Sequence, residues 1–130
     1  MNLKNTFKKF ILLDLLLLIL GVSSLFFENE SIVSFNESVD PMSEMYGLVV
    51  LIYLIAYLIC LFFLYKFKKV GKQLYLFLFI LGVLLSLLMG DTAQSSIAYV
   101  VDGLGWANAG VILSLLYFST IKKEFWKNKT

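Results

Sequence analysis

Four long apolar runs, separated by short polar stretches, constrain this chain more than any other feature. They cover residues 10–27, 46–65, 74–90 and 97–121, and the start of the fourth is open between Ile97 and Gly103. Each is close to the roughly 20 residues an α-helix needs to cross a bilayer's hydrocarbon core. Composition agrees: 60% of 130 residues are hydrophobic, about 78 positions, against the roughly 80 that four spans would take. Only 15% are charged, well below the quarter common in soluble domains. In hydrocarbon the backbone must satisfy its own hydrogen bonds, and none of the runs alternates as a barrel strand does. The expected fold class is therefore all-α: one integral membrane four-helix bundle over residues 1–130, with an outer loop at 28–45.

The lysines predict an orientation. Lys4, Lys8 and Lys9 precede the first run, Lys66, Lys68, Lys69 and Lys72 join the second to the third, and Lys122, Lys123, Lys127 and Lys129 follow the fourth. These are all eleven basic residues, and four crossings put every one on the same face. The positive-inside rule makes that face cytoplasmic, with both termini inside the cell (inner) membrane. Glu28, Glu30, Glu37, Asp40, Glu44 and Asp91 fall on the opposite face. The net charge of +2 hides this split, and nucleic acid is not an expected partner. The first run has a basic start and small residues at Val22-Ser23-Ser24, as a signal peptide does. Asp14 within it, and the continuation into Leu25-Phe26-Phe27, favour a retained anchor.

The chain has no histidine, and its single cysteine, Cys60, lies inside an apolar run. No disulfide, His/Cys metal site or haem ligation is expected, no cofactor is implied, and the commonest acid–base group is missing. In the outer loop, Asp40-Pro41 with Glu44 reads as a helix start, Asp as N-cap and Pro at the first helical position. Asn29-Glu30-Ser31 and Asn36-Glu37-Ser38 match the glycosylation sequon, a match that short Asn- and Ser-rich loops make by chance. Tyr65, Tyr75, Tyr117 and Trp126 fall where interfacial aromatics anchor a membrane helix.

Small and polar residues recur at helical spacing. In the first run Asp14, Leu17, Gly21 and Ser24 share a face, in the third Gly82, Ser86 and Gly90, and in the fourth Gly103, Ala107, Gly110 and Ser114. Such stripes let helix backbones approach closely, and packing inside the bundle is expected ahead of an oligomer seam. In the second run Tyr46, Tyr53, Tyr57 and Cys60 align, and their polar atoms favour the bundle interior.

Asp14 is the most informative single residue. It lies four positions inside Phe10, about 6 Å into the hydrocarbon at 1.5 Å per residue, where a carboxylate costs roughly 2–3 kcal/mol at insertion unless protonated or paired. Phe10 and Ile11, one turn before it, offer no partner. Tyr57, Cys60 and Tyr117 are expected at matching depth. The candidate ion, proton or polar-core site is Asp14 with Tyr57, Tyr117, Asp102 and Asn108. Asp102 lies about 15 Å away along the membrane normal, too far for a carboxylate dyad but consistent with the far end of a path. The Gly103-Leu104-Gly105 run favours irregular backbone or close contact there.

No catalytic residue set is expected and no metal ligands: no serine has a plausible base and no loop cradles a phosphate. The favoured function is a non-catalytic accessory or assembly subunit, packing through its small-residue faces as a homo-oligomer or in a larger membrane complex. The alternative is a small transporter or channel for protons, cations or a small solute, using Asp14. The two readings differ at Asp14→Asn, nearly silent in the first and disabling in the second.

Overall fold

The structure, a computed structural model, describes residues 2–39, 43–88 and 92–127. The described residues are almost entirely helical: α1 (Leu3–Ser24), α2 (Glu30–Val39), α3 (Ser43–Tyr65), α4 (Lys69–Leu88), α5 (Ser96–Phe118) and α6 (Glu124–Lys127), with 3₁₀ turns at Leu25–Phe27 and Thr120–Lys123. Four helices are long and apolar enough to cross a membrane. The apolar runs continue as regular helix into their polar flanks. Thus α1 begins seven residues before Phe10, capped by the Asn2 side chain, and α4 begins at Lys69 rather than at residue 74.

The fourth long helix starts at Ser96, with Ser95 as N-cap accepting from the Ala98 amide at 3.2 Å. The Gly103-Leu104-Gly105 run is uninterrupted helix, contrary to expectation. A glycine tolerates irregular backbone without imposing it, and helical hydrogen bonding is the way this segment satisfies its backbone groups in apolar surroundings. The stretch at 28–45 is not all loop, since α2 occupies ten residues of it. Asp40 and Pro41 lie outside the described residues, as do Gly90 and Asp91.

The chain runs up and down, α1 packing along α5 and α3 along α4. All the described lysines gather at one end. Lys8 lies over the Tyr65 ring, Lys72 over Tyr117 and Lys69 over Trp126, at 4.5, 4.2 and 4.7 Å from the ring centroids. Lys4 Nζ pairs with Glu124 Oε2 at 2.7 Å, joining the start of α1 to α6. The opposite end carries Glu28, Glu30 and Glu37.

The core is concentrated at the lysine end. Phe7, Phe67 and Phe125 form a triad of rings, centroids 5.4 to 5.9 Å apart, over Leu64, Ile112, Leu116 and Ile121. Phe67 adopts φ 53°, left-handed backbone that costs a non-glycine residue about 1–2 kcal/mol. Two bonds make this the cap of α3: the Phe67 amide donates to the Leu64 carbonyl and the Lys68 amide to the Phe63 carbonyl, both 2.9 Å. Glycine would be easier on the backbone, but it would leave the triad without a ring. Four residues on, a Cβ at Gly71 would lie 2.8 Å from the Leu64 nitrogen and the Phe63 carbonyl carbon, so α3 and α4 touch backbone to backbone.

The small-residue stripes divide. A Cβ at Gly21 would meet Val101 at 3.8 Å, and one at Gly82 the Tyr53 hydroxyl at 2.7 Å, so these two glycines do face neighbours. Ser86 is exposed and donates to the Gly82 carbonyl of its own helix. On α5 the expected packing is not made within the chain. Gly103 and Gly110 have nothing within 4 Å of an added Cβ, and Ala107 and Ser114 are exposed. Asn108, Ala109, Ile112 and Leu116 face inward instead, because Asn108, Ile112 and Leu116 have more contact to gain there than the small residues do.

A buried carboxylate at the floor of an open cavity

Asp14 is the twelfth of the 22 residues of α1, and Asn108 the thirteenth of the 23 of α5. Two antiparallel helices of nearly equal length put their midpoints together. Asn108 Nδ2 donates to Asp14 Oδ1 at 2.7 Å and to the Phe10 carbonyl at 3.1 Å. From α3, the Tyr57 hydroxyl donates to Asp14 Oδ2 at 2.5 Å. From α4, the Tyr75 hydroxyl lies 3.4 Å from both Asp14 Oδ2 and the Tyr57 oxygen. Each long helix therefore contributes one polar side chain to a single cluster. Asp14 is 4% exposed and Asn108 5%, and no lysine is among the groups bonded to the carboxylate.

Tyr117 is not part of this cluster. Its hydroxyl reaches the Lys72 carbonyl at 3.4 Å, at the lysine end, because Asp14 stands at mid-helix rather than near that end. Cys60 is buried beside the cluster and donates its thiol hydrogen to the Gly71 carbonyl at 3.4 Å. The sequence predicts Tyr75 only as an interfacial anchor. Its ring instead runs inward from the second turn of α4 and is 1% exposed. Tyr53 stacks on Tyr57 with centroids 6.0 Å apart and donates to the Leu78 carbonyl at 3.0 Å, bracing the α3 side of the site.

Above the cluster, toward the acidic end, the α1–α5 and α3–α4 pairs enclose a cavity of about 380 Å³. Asp14, Tyr57 and Tyr75 form its floor; Leu18, Val22, Val50, Leu54 and Phe79 belong to its walls. Its volume, about a dozen waters' worth, lies in the usual range for small-ligand pockets. Asp102 lines the same cavity two turns into α5, exposed, and accepts from Gln94 Nε2 at 2.8 Å. Asp14 and Asp102 thus belong to one cavity without forming a pair. Among the described residues no basic side chain lines it. Among the described residues no three acidic, histidine or cysteine side chains group as metal ligands would.

Below the cluster the structure is closed: Leu64, Ile112 and Leu116, then the triad of Phe7, Phe67 and Phe125, occupy the axis of the bundle. The site is a dead end in this conformation, open toward the acids and shut toward the lysines. No family model, curated protein or solved structure matches the chain, so its functional reading rests on this geometry.

Proposed function

We propose that the chain is a multi-pass membrane protein with both termini cytoplasmic, and that it is a small transporter taking up a solute from the outer side through the cavity that ends at Asp14. One observation carries this reading: a cavity of ligand size terminates on a buried carboxylate with no cationic partner, while the opposite end of the bundle is sealed. A carboxylate in that position is costly, and intramembrane acids commonly mark a transport or proton path. The clustering of lysines supports the orientation. The membrane setting is supported by the outer faces of the long helices, where Leu12, Leu16, Ile52, Ile55, Phe77 and Ile80 are exposed.

Cysteine accessibility tests the reading. In a Cys60→Ala background, Gly21→Cys places a thiol in the cavity wall without a clash, and Lys68→Cys places one on the exposed surface of the lysine end. A membrane-impermeant maleimide added from outside should label the first and not the second. Equal labelling of both, or of neither, overturns the outward-open cavity. A transporter further requires that Asp14→Asn abolish flux while leaving the fold intact.

One observation favours the assembly reading instead. The face bearing Gly103, Ala107, Gly110 and Ser114 is uncovered, and such faces suit close helix–helix contact between subunits. That reading expects Gly110→Leu to break an oligomer and Asp14→Asn to be silent.

A further inference from the structure

We infer that the ligand of this cavity is a protonated primary or secondary amine on a compact apolar body, an inference that rests on the solute-binding reading above. Three observations converge on that class.

The first is charge. Among the described residues two acids and no base line the cavity, and Asp14 at its floor has three hydrogen-bond donors but no counter-charge. An anion would be repelled, and a neutral ligand would leave the carboxylate uncompensated in apolar surroundings. A cation would complete it.

The second is the hydrogen-bond inventory. A carboxylate offers about four acceptor positions and each tyrosine a single proton. The Tyr57 proton is committed to Asp14 Oδ2, so its oxygen is left as an acceptor. One Asn108 hydrogen goes to Asp14 Oδ1 and the other to the Phe10 carbonyl. Asn108 Oδ1 is buried without a donor among the described residues, but Asn108 does not line the cavity, so the acceptors a ligand meets at the floor are those of Asp14 and the tyrosine hydroxyls. The cluster is therefore short of N–H or O–H groups, not of acceptors. A primary or secondary ammonium brings positive charge together with two or three donors. A quaternary ammonium brings the charge alone, inside a shell of methyl groups.

The third is the wall. Around the floor stand aromatic rings, Tyr53, Tyr57, Tyr75 and, further up, Trp106 edge-on to Phe79 at 5.5 Å. Aromatic faces attract a cation, and the aliphatic side chains between them suit an apolar body. An alkali or divalent ion would need a shell of six or more oxygens, which one carboxylate and a few hydroxyls in an apolar wall do not supply.

The chain carries two tryptophans, Trp106 in the cavity wall and Trp126 at the lysine end, so Trp126→Phe leaves one reporter where the ligand would sit. The full-length variant in lipid nanodiscs is titrated with one bromophenylpropyl body bearing in turn a primary ammonium, a trimethylammonium, a carboxamide and a carboxylate. The reading is saturable heavy-atom quenching of Trp106. The ammonium should bind about tenfold tighter than the trimethylammonium, the difference a charge-assisted hydrogen bond makes, and the carboxylate should not saturate. Asp14→Asn should bring the ammonium down to the affinity of the carboxamide, and Asp14→Glu should keep the preference, which separates lost charge from lost fold. Equal affinity for the two cations, or tightest binding by the carboxylate or carboxamide, overturns the amine class. In those cases saturable carboxamide binding leaves the solute cavity standing. Absence of saturable quenching by all four probes overturns both.

Discussion

At the lysine end, three phenylalanines from α1, the α3–α4 turn and α6 converge and are almost wholly buried. At the acidic end Phe26 and Phe27 are 83% and 82% exposed, and a cavity occupies the axis instead. The residue type is the same, so hydrophobicity does not decide the difference. What decides it is whether another element arrives to cover the helix ends. The α3–α4 turn is tight, and the chain beyond α5 folds back as a 3₁₀ turn and α6, so Phe67, Ile121 and Phe125 are carried onto the axis. At the acidic end α2 and the α4–α5 connection are joined by one side chain. Asn36 donates to the Ala93 carbonyl at 3.1 Å and accepts from the Ala93 amide at 2.9 Å. One end is packed shut and the other is tied with two hydrogen bonds.

Removing a ring from the sealed end is the largest test of this contrast. Phe7→Ala should destabilise the protein by about 3–5 kcal/mol, since Phe7 is fully buried and touches both other rings. Phe26→Ala should cost less than about 1 kcal/mol, because its ring is exposed and truncation leaves no cavity in the bundle. Unfolding in bicelles, followed by helical signal against added SDS, measures both. Similar losses would mean that the acidic end is packed by something other than the contacts described. Next in size is Gly71→Ala. The new methyl meets backbone rather than a side-chain tip, so α3 and α4 must part, at about 3 kcal/mol by the same assay.

Much of this contrast was legible in the residues, for identifiable reasons. Helix length and apolarity are local properties, so the four long helices stand out without any tertiary information. Asp14 stands out because its own helix offers it no partner, and Tyr57 because counting along antiparallel helices brings it level. Tyr75 does not stand out in the same way, because counting places Cα atoms, while a tyrosine ring carries its hydroxyl more than a helical turn away. Depth counted from Phe10 sets Asp14 near the lysine face; α1 in fact starts at Leu3, so Asp14 lies at mid-helix, level with Asn108 at the middle of α5. The stripe on α5 marks a further boundary. Spacing tells which residues share a face, but the direction of that face is set by what the opposite side gains, and here Asn108, Ile112 and Leu116 gain more. The cavity has no sequence signature, because it is a property of how two helix pairs separate.

A smaller effect tests the tie at the acidic end. Asn36→Ala removes both bonds to Ala93 in a partly exposed setting, so global stability should fall by only about 1 kcal/mol. The change should be concentrated locally, as faster hydrogen exchange of the Ala93 amide and readier proteolysis around residues 92–95, with the lysine-end amides unaffected. Slower exchange, or a loss spread evenly over the bundle, would show that Asn36 is not what holds these two segments. The same bonds bear on the sequon at Asn36, since an amide engaged on both sides is a poor glycan acceptor in the folded chain.

The smallest effect is also the sharpest comparison, because it repeats the Gly71 substitution at the other end. A Cβ at Gly103 meets nothing within 4 Å, and its backbone is ordinary helix. Gly103→Ala should therefore be neutral or stabilising by up to about 1 kcal/mol, the usual gain of alanine over glycine inside a helix. Two glycine-to-alanine changes in one bundle would then differ by roughly 3–4 kcal/mol, with opposite signs, through nothing but what lies beyond the added carbon. The comparison also separates the two functional readings. If a second copy of the chain packs on the Gly103, Ala107, Gly110 and Ser114 face, the added methyl enters that seam. Gly103→Ala would then weaken the oligomer and lower stability in a concentration-dependent way. A stabilised protein with no dependence on concentration would leave that face to lipid and the cavity as the working part of the molecule.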